Sequence, residues 1–315
     1  MPLYKGTTEI ASGKLYKGTT EIDKLYKGTS LIYQLGFSLR FLGIAGGSDG
    51  VALDSNSYYG GGGGAGEYLE VTGLIGEPNK NYQVIVGAAS GGNTRFQTNS
   101  TQSNTFDYEL SGSSGNGGRS WPSGFPASWA GYSATLNEAA AGSRGFSGGN
   151  GLWRPSLSGS PNGGLGGGGG GAGGAGGNTS ANVYAGNGGP GYASDITGTS
   201  VTRAGGGGGA GQLPSTSSGY QSSGGSGGGG RGAVQEYQDS SIVASPTNGT
   251  PNTGSGGGAG CSGGGNGTGG SGVVILRYPN TITINVGSSL TSTTTTTGTD
   301  KVTTFTAGSD NISFT

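Results

Sequence analysis

Three patterns of apolar and polar positions divide the chain. The first is a repeat: Leu3-Tyr4-Lys5-Gly6-Thr7-Thr8-Glu9-Ile10 returns at residues 15–22 and, varied, at residues 25–32. Tyr, Thr and Ile favour extended backbone, so each unit reads as one strand. In such a strand Tyr4, Gly6, Thr8 and Ile10 share a face, Leu3, Lys5, Thr7 and Glu9 share the other, and Gly6 leaves a gap in the middle. Strands this short are not stable in isolation. Residues 1–35 are therefore expected to be an assembly or attachment element, with a solvated arm as the competing reading.

The second pattern brackets residues 36–279. It opens on Leu39-Arg40-Phe41-Leu42-Gly43-Ile44, followed by strand-like stretches at 67–74 and 81–87. Their connector, Ile75 to Lys80, has the Gly, Pro and Asn of a hairpin turn. In the second stretch Tyr82, Val84 and Val86 fall on one side. At the far end, Gly272-Val273-Val274-Ile275-Leu276-Arg277-Tyr278-Pro279 is almost continuously apolar, as a strand buried on both faces would be. The two ends of this segment are expected to form a small β framework. The third pattern, residues 280–315, alternates at 281–286 and again at 301–306 and 311–314 around a Thr-rich stretch, which predicts a terminal β segment, or else a frayed tail.

Composition changes the picture between those ends. Of 315 residues 79 are Gly and only 30% are hydrophobic, so side-chain burial cannot stabilise the whole chain. The glycines concentrate in runs at 60–64, 163–177, 205–211, 224–232 and 254–272. Collagen is excluded, because Gly at every third position with abundant Pro is missing. Glycine is costly to order, yet without Cβ atoms extended three-residue helices can approach closely enough to pair every N–H and C=O with a neighbour. In the second run Ala172, Ala175, Asn178 and Ala181 fall three apart, one per turn of such a helix. At about 3.1 Å per residue, its fifteen positions would span roughly 46 Å. A disordered Gly/Ser linker is the competing reading, but linkers rarely alternate with aromatic inserts as these runs do. The expected fold is thus mostly β and irregular: a bundle of glycine helices on a small β framework, with short β segments at both termini.

Charge and chemistry narrow the function. The net charge is -1, with 15 basic and 16 acidic residues thinly spread, which offers no stripe for nucleic acid. The start lacks the apolar core of a signal peptide, and no apolar stretch is long enough to span a bilayer, so the chain is not expected to be membrane-embedded. Histidine is absent and Cys261 is the one cysteine, which removes the commonest general base, the commonest metal ligand and any intrachain disulfide. Cys261 reads as a small buried residue. No catalytic, metal or cofactor residue is assigned: Glu236 and Asp239 sit in a polar, Ser-rich loop, no cleft is signalled, and no Gly-Lys-Ser/Thr follows a strand.

Candidate binding residues lie in the inserts between runs. Trp121, Trp129, Tyr132 and Trp153 fall between residues 93 and 162, with Tyr184, Tyr192, Tyr220 and Tyr237 in later inserts. Aromatic anchors among Ser, Gly and Asn make up binding loops, and such rings stack on sugars or dock on proteins. Rings that merely cover the bundle's sides are the alternative, above all for Trp121 and Trp153.

Gly60 to Tyr68, Tyr82 to Gly87 and Gly269 to Pro279 together resemble the glycine-rich domain of bacteriophage tail fibres and adhesins, and the Leu-Tyr-Lys-Gly-Thr repeats look like those of phage structural proteins. The resemblance implies a sandwich of polyglycine II helices whose loops at one end bind a receptor on the bacterial surface, protein or glycan. It implies a virion location and other tail proteins as partners; the short repeat strands, which need neighbouring chains, add the expectation of a homo-oligomer, a trimer through the terminal β segments. A structural fibre or decoration protein without receptor binding is the alternative. The first insert is longer than in those adhesins, so no receptor loop is carried over residue by residue.

Overall fold

The computed structural model describes residues 3–5, 8–10, 15–17, 20–22, 24–27, 30–34, 36–51, 60–98, 106–112, 145–154, 163–179, 185–213, 221–236, 241–261 and 263–315. Among these there is no helix; the chain is β-strand and irregular extended backbone.

Each repeat is a hairpin and not a single strand. Leu3–Lys5 pairs with Thr8–Ile10 (β1, β2), Leu15–Lys17 with Thr20–Ile22 (β3, β4), and Lys24–Lys27 with Ser30–Gln34 (β5, β6), all antiparallel. The registers Lys5↔Thr8, Lys17↔Thr20 and Lys27↔Ser30 leave a Gly-Thr pair between strands. Gly-first pairs suit two-residue hairpin loops by sequence; these pairs lie outside the described residues.

The framework uses β7 (Phe37–Ile44), β8 (Tyr68–Gly76), β9 (Asn81–Ile85), β10 (Thr94–Thr98) and β11 (Asp107–Leu110). Short strands follow in the body: β12 (Leu152–Arg154), β13 (Gly163–Leu165), β14 (Tyr192–Ser194), β15 (Val201–Arg203), β16 (Gly211–Leu213), β17 (Val234–Glu236) and β18 (Ile242–Ala244). The chain closes with β19 (Val273–Pro279), β20 (Ile284–Val286), β21 (Thr291–Thr297), β22 (Asp300–Ala307) and β23 (Ser309–Phe314). Two five-stranded sheets result, ordered β21-β22-β19-β7-β8 and β11-β10-β9-β23-β20. Residues 280–315 thus supply strands to both sheets.

The sheets share one apolar core. Phe37, Leu39, Phe41, Val274, Leu276, Tyr278 and Phe305 from the first meet Tyr82, Val84, Phe96, Leu110, Ile312 and Phe314 from the second. Phe41 stacks on Phe96 at 5.0 Å between ring centroids, and the buried Tyr278 hydroxyl hydrogen-bonds Thr303 at 2.7 Å. The alternation of Tyr82, Val84 and Val86 points all three inward. The other face of the first sheet is buried too: Leu42, Ile44, Tyr68, Val273, Ile275 and Val302 pack against Ala65, Ala172, Ile196 and Ala204 of the body. Burial on both faces accounts for the unbroken apolar run of β19. The connector after β8 is not a hairpin turn. It crosses between sheets, β8 pairing only with β7 and β9 with β10 and β23, because each strand has one face to give to the shared core.

Beyond the sheets, glycine runs hydrogen-bond to one another. Along 206–211 successive amides address three neighbours in rotation. Gly206 and Gly209 donate to the carbonyls of Gly189 and Gly186, Gly207 and Ala210 to Gly63 and Gly60, Gly208 and Gly211 to Gly230 and Ala233, at 2.8–3.0 Å. Carbonyls of residues 205–210 accept from Gly166 and Gly169, from Gly225, and from Gly256 and Ala259. The bonding therefore repeats every three residues and reaches six surrounding segments. Only glycine permits that approach: a Cβ on Gly207 would lie 1.9 Å from the Gly257 carbonyl oxygen, and one on Gly258 1.7 Å from that of Arg231.

Gly163–Gly177 is not one long stretch. It doubles back, Gly171 N–H bonding the Gly174 carbonyl and Gly168 N–H that of Gly177. A run can bond only where a neighbour lies alongside, so limb length is set by the thickness of the body. At its sides, side-chain oxygens stand in for missing backbone carbonyls: Asn187 accepts from Ser223 N at 2.8 Å, Asn248 from Thr268 N at 2.9 Å and Asp49 from Gly269 N at 2.8 Å.

Candidate functional site

The hydrogen bonds define two ends of the body. At one, the bonded set Val51, Gly60, Gly166, Gly186, Ala210, Ala233, Ala259 and Gly260 forms a single level. Segments 52–59, 155–162, 180–184, 214–220 and 237–240 each begin or end within a few residues of that level. At the other end, Ala45, Ala65, Gly66, Ala172, Ala204 and Gly254 sit against the framework, and the connections near residues 172, 227 and 252 are short. The described residues that flank these segments thus lie at the end away from the sheets. The amino-terminal hairpins join at Phe37, whose partner Gly76 lies at the opposite end of β7 from Ile44.

At the insert-bearing level the lattice gives way to small side chains. Ala210, Ala233, Ala259 and Cys261 form a buried cluster, with Leu165, Ala185 and Val234 also buried nearby in sequence. Cys261 is a buried packing residue, and that burial pushes its thiol pKa up, the opposite of an activated nucleophile.

Of the eight aromatic candidates, Trp121, Trp129, Tyr132, Tyr184, Tyr220 and Tyr237 lie outside the described residues. Trp153 falls in β12, paired with Gly164 of β13, beside the insert-bearing level. Tyr192 falls in β14 at the framework end, its half-buried ring edge-on to Tyr68 at 5.5 Å. Described residues therefore bring the flanks of Trp153, Tyr184, Tyr220 and Tyr237 to one end and leave Tyr192 at the other. The 113–144 insert, with Trp121, Trp129 and Tyr132, departs beside Gly91 and returns where Phe146 lies against Gly170, at the framework side. The signal for this sorting was available in the spacing, since long inserts alternate with short Gly-Gly or Asn-Thr-Gly turns.

Among the described residues, charged groups tie the pieces together. Arg40 bridges Glu70 of β8 and, at 2.5 Å, Asp195 of the β14–β15 turn. Arg95 pairs with Asp107, and Arg277 with Asp300 at 2.7 Å. Among the described residues no cluster could hold a metal ion and no helix is long and apolar enough to cross a membrane. The Arg95 hydrogen bond holds Asp107 below the usual 3.8, Arg40 does the same for Asp195, and the Asn311 and Ser289 amides do so for Asp310. Depressed carboxylate pKa values give stability that is present above the unfolded value and lost as pH falls through the folded one. Glu67 runs the other way: burial raises its pKa, offset by its bond to Ser111 N, so its protonation favours the fold. With three groups against one, the thermal midpoint is expected to hold from neutral pH to about pH 4 and fall below it. Melting that rose on acidification below pH 4 would contradict these ion pairs.

The described residues define a class, a β-sandwich that carries a hydrogen-bonded glycine body. A family model described as a glycine-rich domain matches residues 35–279, and the chain belongs to that glycine-rich domain family. No curated protein matches it.

Proposed function

We propose that the glycine runs are polyglycine II helices, and that this body is a rigid scaffold displaying a recognition surface on a bacteriophage tail fibre or related appendage. The observation that carries this reading is that the flanks of five inserts meet at one end of a body whose amides rotate among neighbours with a three-residue period. Rigidity matters because ordering a loop on binding costs affinity, and a stiff base limits that cost. The inserts supply Tyr184, Tyr220 and Tyr237, with Trp153 at the base of another, amid Ser, Asn and Gly, and the hairpin repeats attach at the opposite end, where assembly with other tail proteins leaves the inserts outward. In this reading the protein is not an enzyme and needs no cofactor. Its target is a protein or glycan of the bacterial surface.

The test uses the purified full-length chain. Bound to susceptible cells, it is expected to block adsorption of the phage that carries it, and replacing residues 214–220 and 237–240 by Gly-Ser of equal length is expected to abolish the block while the melting curve stays put. Equal blocking by the replaced chain would shift the reading to a structural fibre, as would unaltered host range in a phage carrying the same replacements.

A further inference from the structure

The two sheets have four edges, and three are guarded. β20 is only three residues long, β11 carries Asp107 and Glu109, and β8 carries Glu70 and is broken by Gly73 at φ +77°. Short length, charge and irregularity are the usual devices that stop a sheet edge from pairing with another chain. β21 is neither short nor charged, and its pairing with β22 is irregular only at its start, between Thr291 and Ser292. It is seven residues, Thr-Ser-Thr-Thr-Thr-Thr-Thr, with no charge and no proline, it is the last strand of its sheet, and Thr291 and Thr293 to Thr296 are exposed. The nearest charges are already engaged, Asp300 by Arg277 and Lys301 by the Ile282 carbonyl.

We propose that β21 pairs with β21 of a second copy of this chain, antiparallel across a twofold axis through Thr294. This pairing sets Thr291 opposite Thr297, Ser292 opposite Thr296 and Thr293 opposite Thr295, so every cross-strand pair is hydroxyl on hydroxyl. The strand is self-complementary where a charged strand would repel its own copy. The chemistry already operates on the inner side of β21, where Thr294 and Thr303 hydroxyls hydrogen-bond at 2.8 Å. The contact joins two copies, not three, and points their insert-bearing ends in opposite directions. One strand pair buries less than the roughly 1,000 Å² of a stable interface, so the dimer forms at high protein concentration and dissociates on dilution.

Sedimentation velocity of the full chain over a rising concentration series tests this. The expected result is a monomer–dimer equilibrium that the double variant T293K/T295K abolishes, because it sets ammonium groups opposite one another; both sites are exposed, and an unchanged melting curve verifies the fold. T294C is expected to form a disulfide-linked dimer under mild oxidation, and S288C, away from the axis, is not. A chain that stays monomeric to millimolar concentration and fails to cross-link through T294C overturns the proposal. So does association that the lysines leave untouched.

Discussion

Gly207→Ala is expected to destabilise the protein by about 3 kcal/mol, the upper range for an overpacked interior, and to lower its thermal midpoint by about 6–12 °C. The added methyl would lie 1.9 Å from the Gly257 carbonyl oxygen. That oxygen cannot rotate away as a side chain would, since it belongs to a run bonded on other sides: it accepts from Gly63 while Gly257 N–H donates to Ser48. Backbone strain is not the cause, because Gly207 is absent from the positive-φ positions. The informative contrast is Gly174→Ala, where the new methyl meets only the edge of the Pro190 ring, at 3.0 Å. A few tenths of an ångström of ring movement relieves that contact, so the change is expected to stay within about 1 kcal/mol. In a slack linker both substitutions would be neutral or mildly stabilising, because alanine restricts the unfolded chain. Equal melting of the two variants and the parent would therefore remove the packed body, and the rigid display surface with it.

How much of this was legible depends on what side chains record. Burial leaves a trace, so the unbroken run at Val273 to Leu276 foretold a strand covered on both faces, and Tyr82, Val84 and Val86 foretold an inward face. Partnership leaves much less. Nothing in residues 67–87 states that β8 and β9 belong to different sheets, because alternation is a property of one strand and the crossing is a property of two. The repeats erred for a different reason. Gly6-Thr7 has the Gly-first signature of a two-residue hairpin loop, but a glycine amid Tyr, Thr and Ile equally fits a gap within one strand. In the glycine runs the record almost vanishes: a residue without a side chain cannot signal which neighbour it addresses, and the doubling back at Gly171 to Gly174 has no breaker beyond the change from pure Gly to Gly-Ala. Polar punctuation helped only at the rim, where Asp49, Asn187 and Asn248 close the sides. At the candidate site, the alternation of long inserts with short turns is legible in the spacing, whereas the level that the insert flanks share follows from limb length, which only the three-dimensional arrangement fixes.

Phe314→Ala is expected to cost about 3–5 kcal/mol, the range for emptying an aromatic site in a core. Phe314 is the next-to-last residue, yet it is fully buried, with its ring against Phe37 at 4.9 Å, Tyr278 at 5.3 Å and Tyr82 at 5.6 Å. Those partners come from β7, β19 and β9, so one ring near the terminus closes the core between both sheets. Backbone pairing makes the same point. β22 lies between β19 and β21, and β23 lies between β9 and β20, so removing residues 280–315 would leave β19 and β9 with open edges and apolar faces in water. Were the last segment a separable module, a chain ending at residue 279 would melt like the whole protein. The pairing predicts instead that this shortened chain loses cooperative melting and aggregates, through the exposed edges of two sheets. Fluorescence-detected melting of Phe314→Ala, beside the solubility of the shortened chain, checks both. A soluble 1–279 chain melting within a few degrees of the parent would mean that the glycine body folds without the sandwich it grows from.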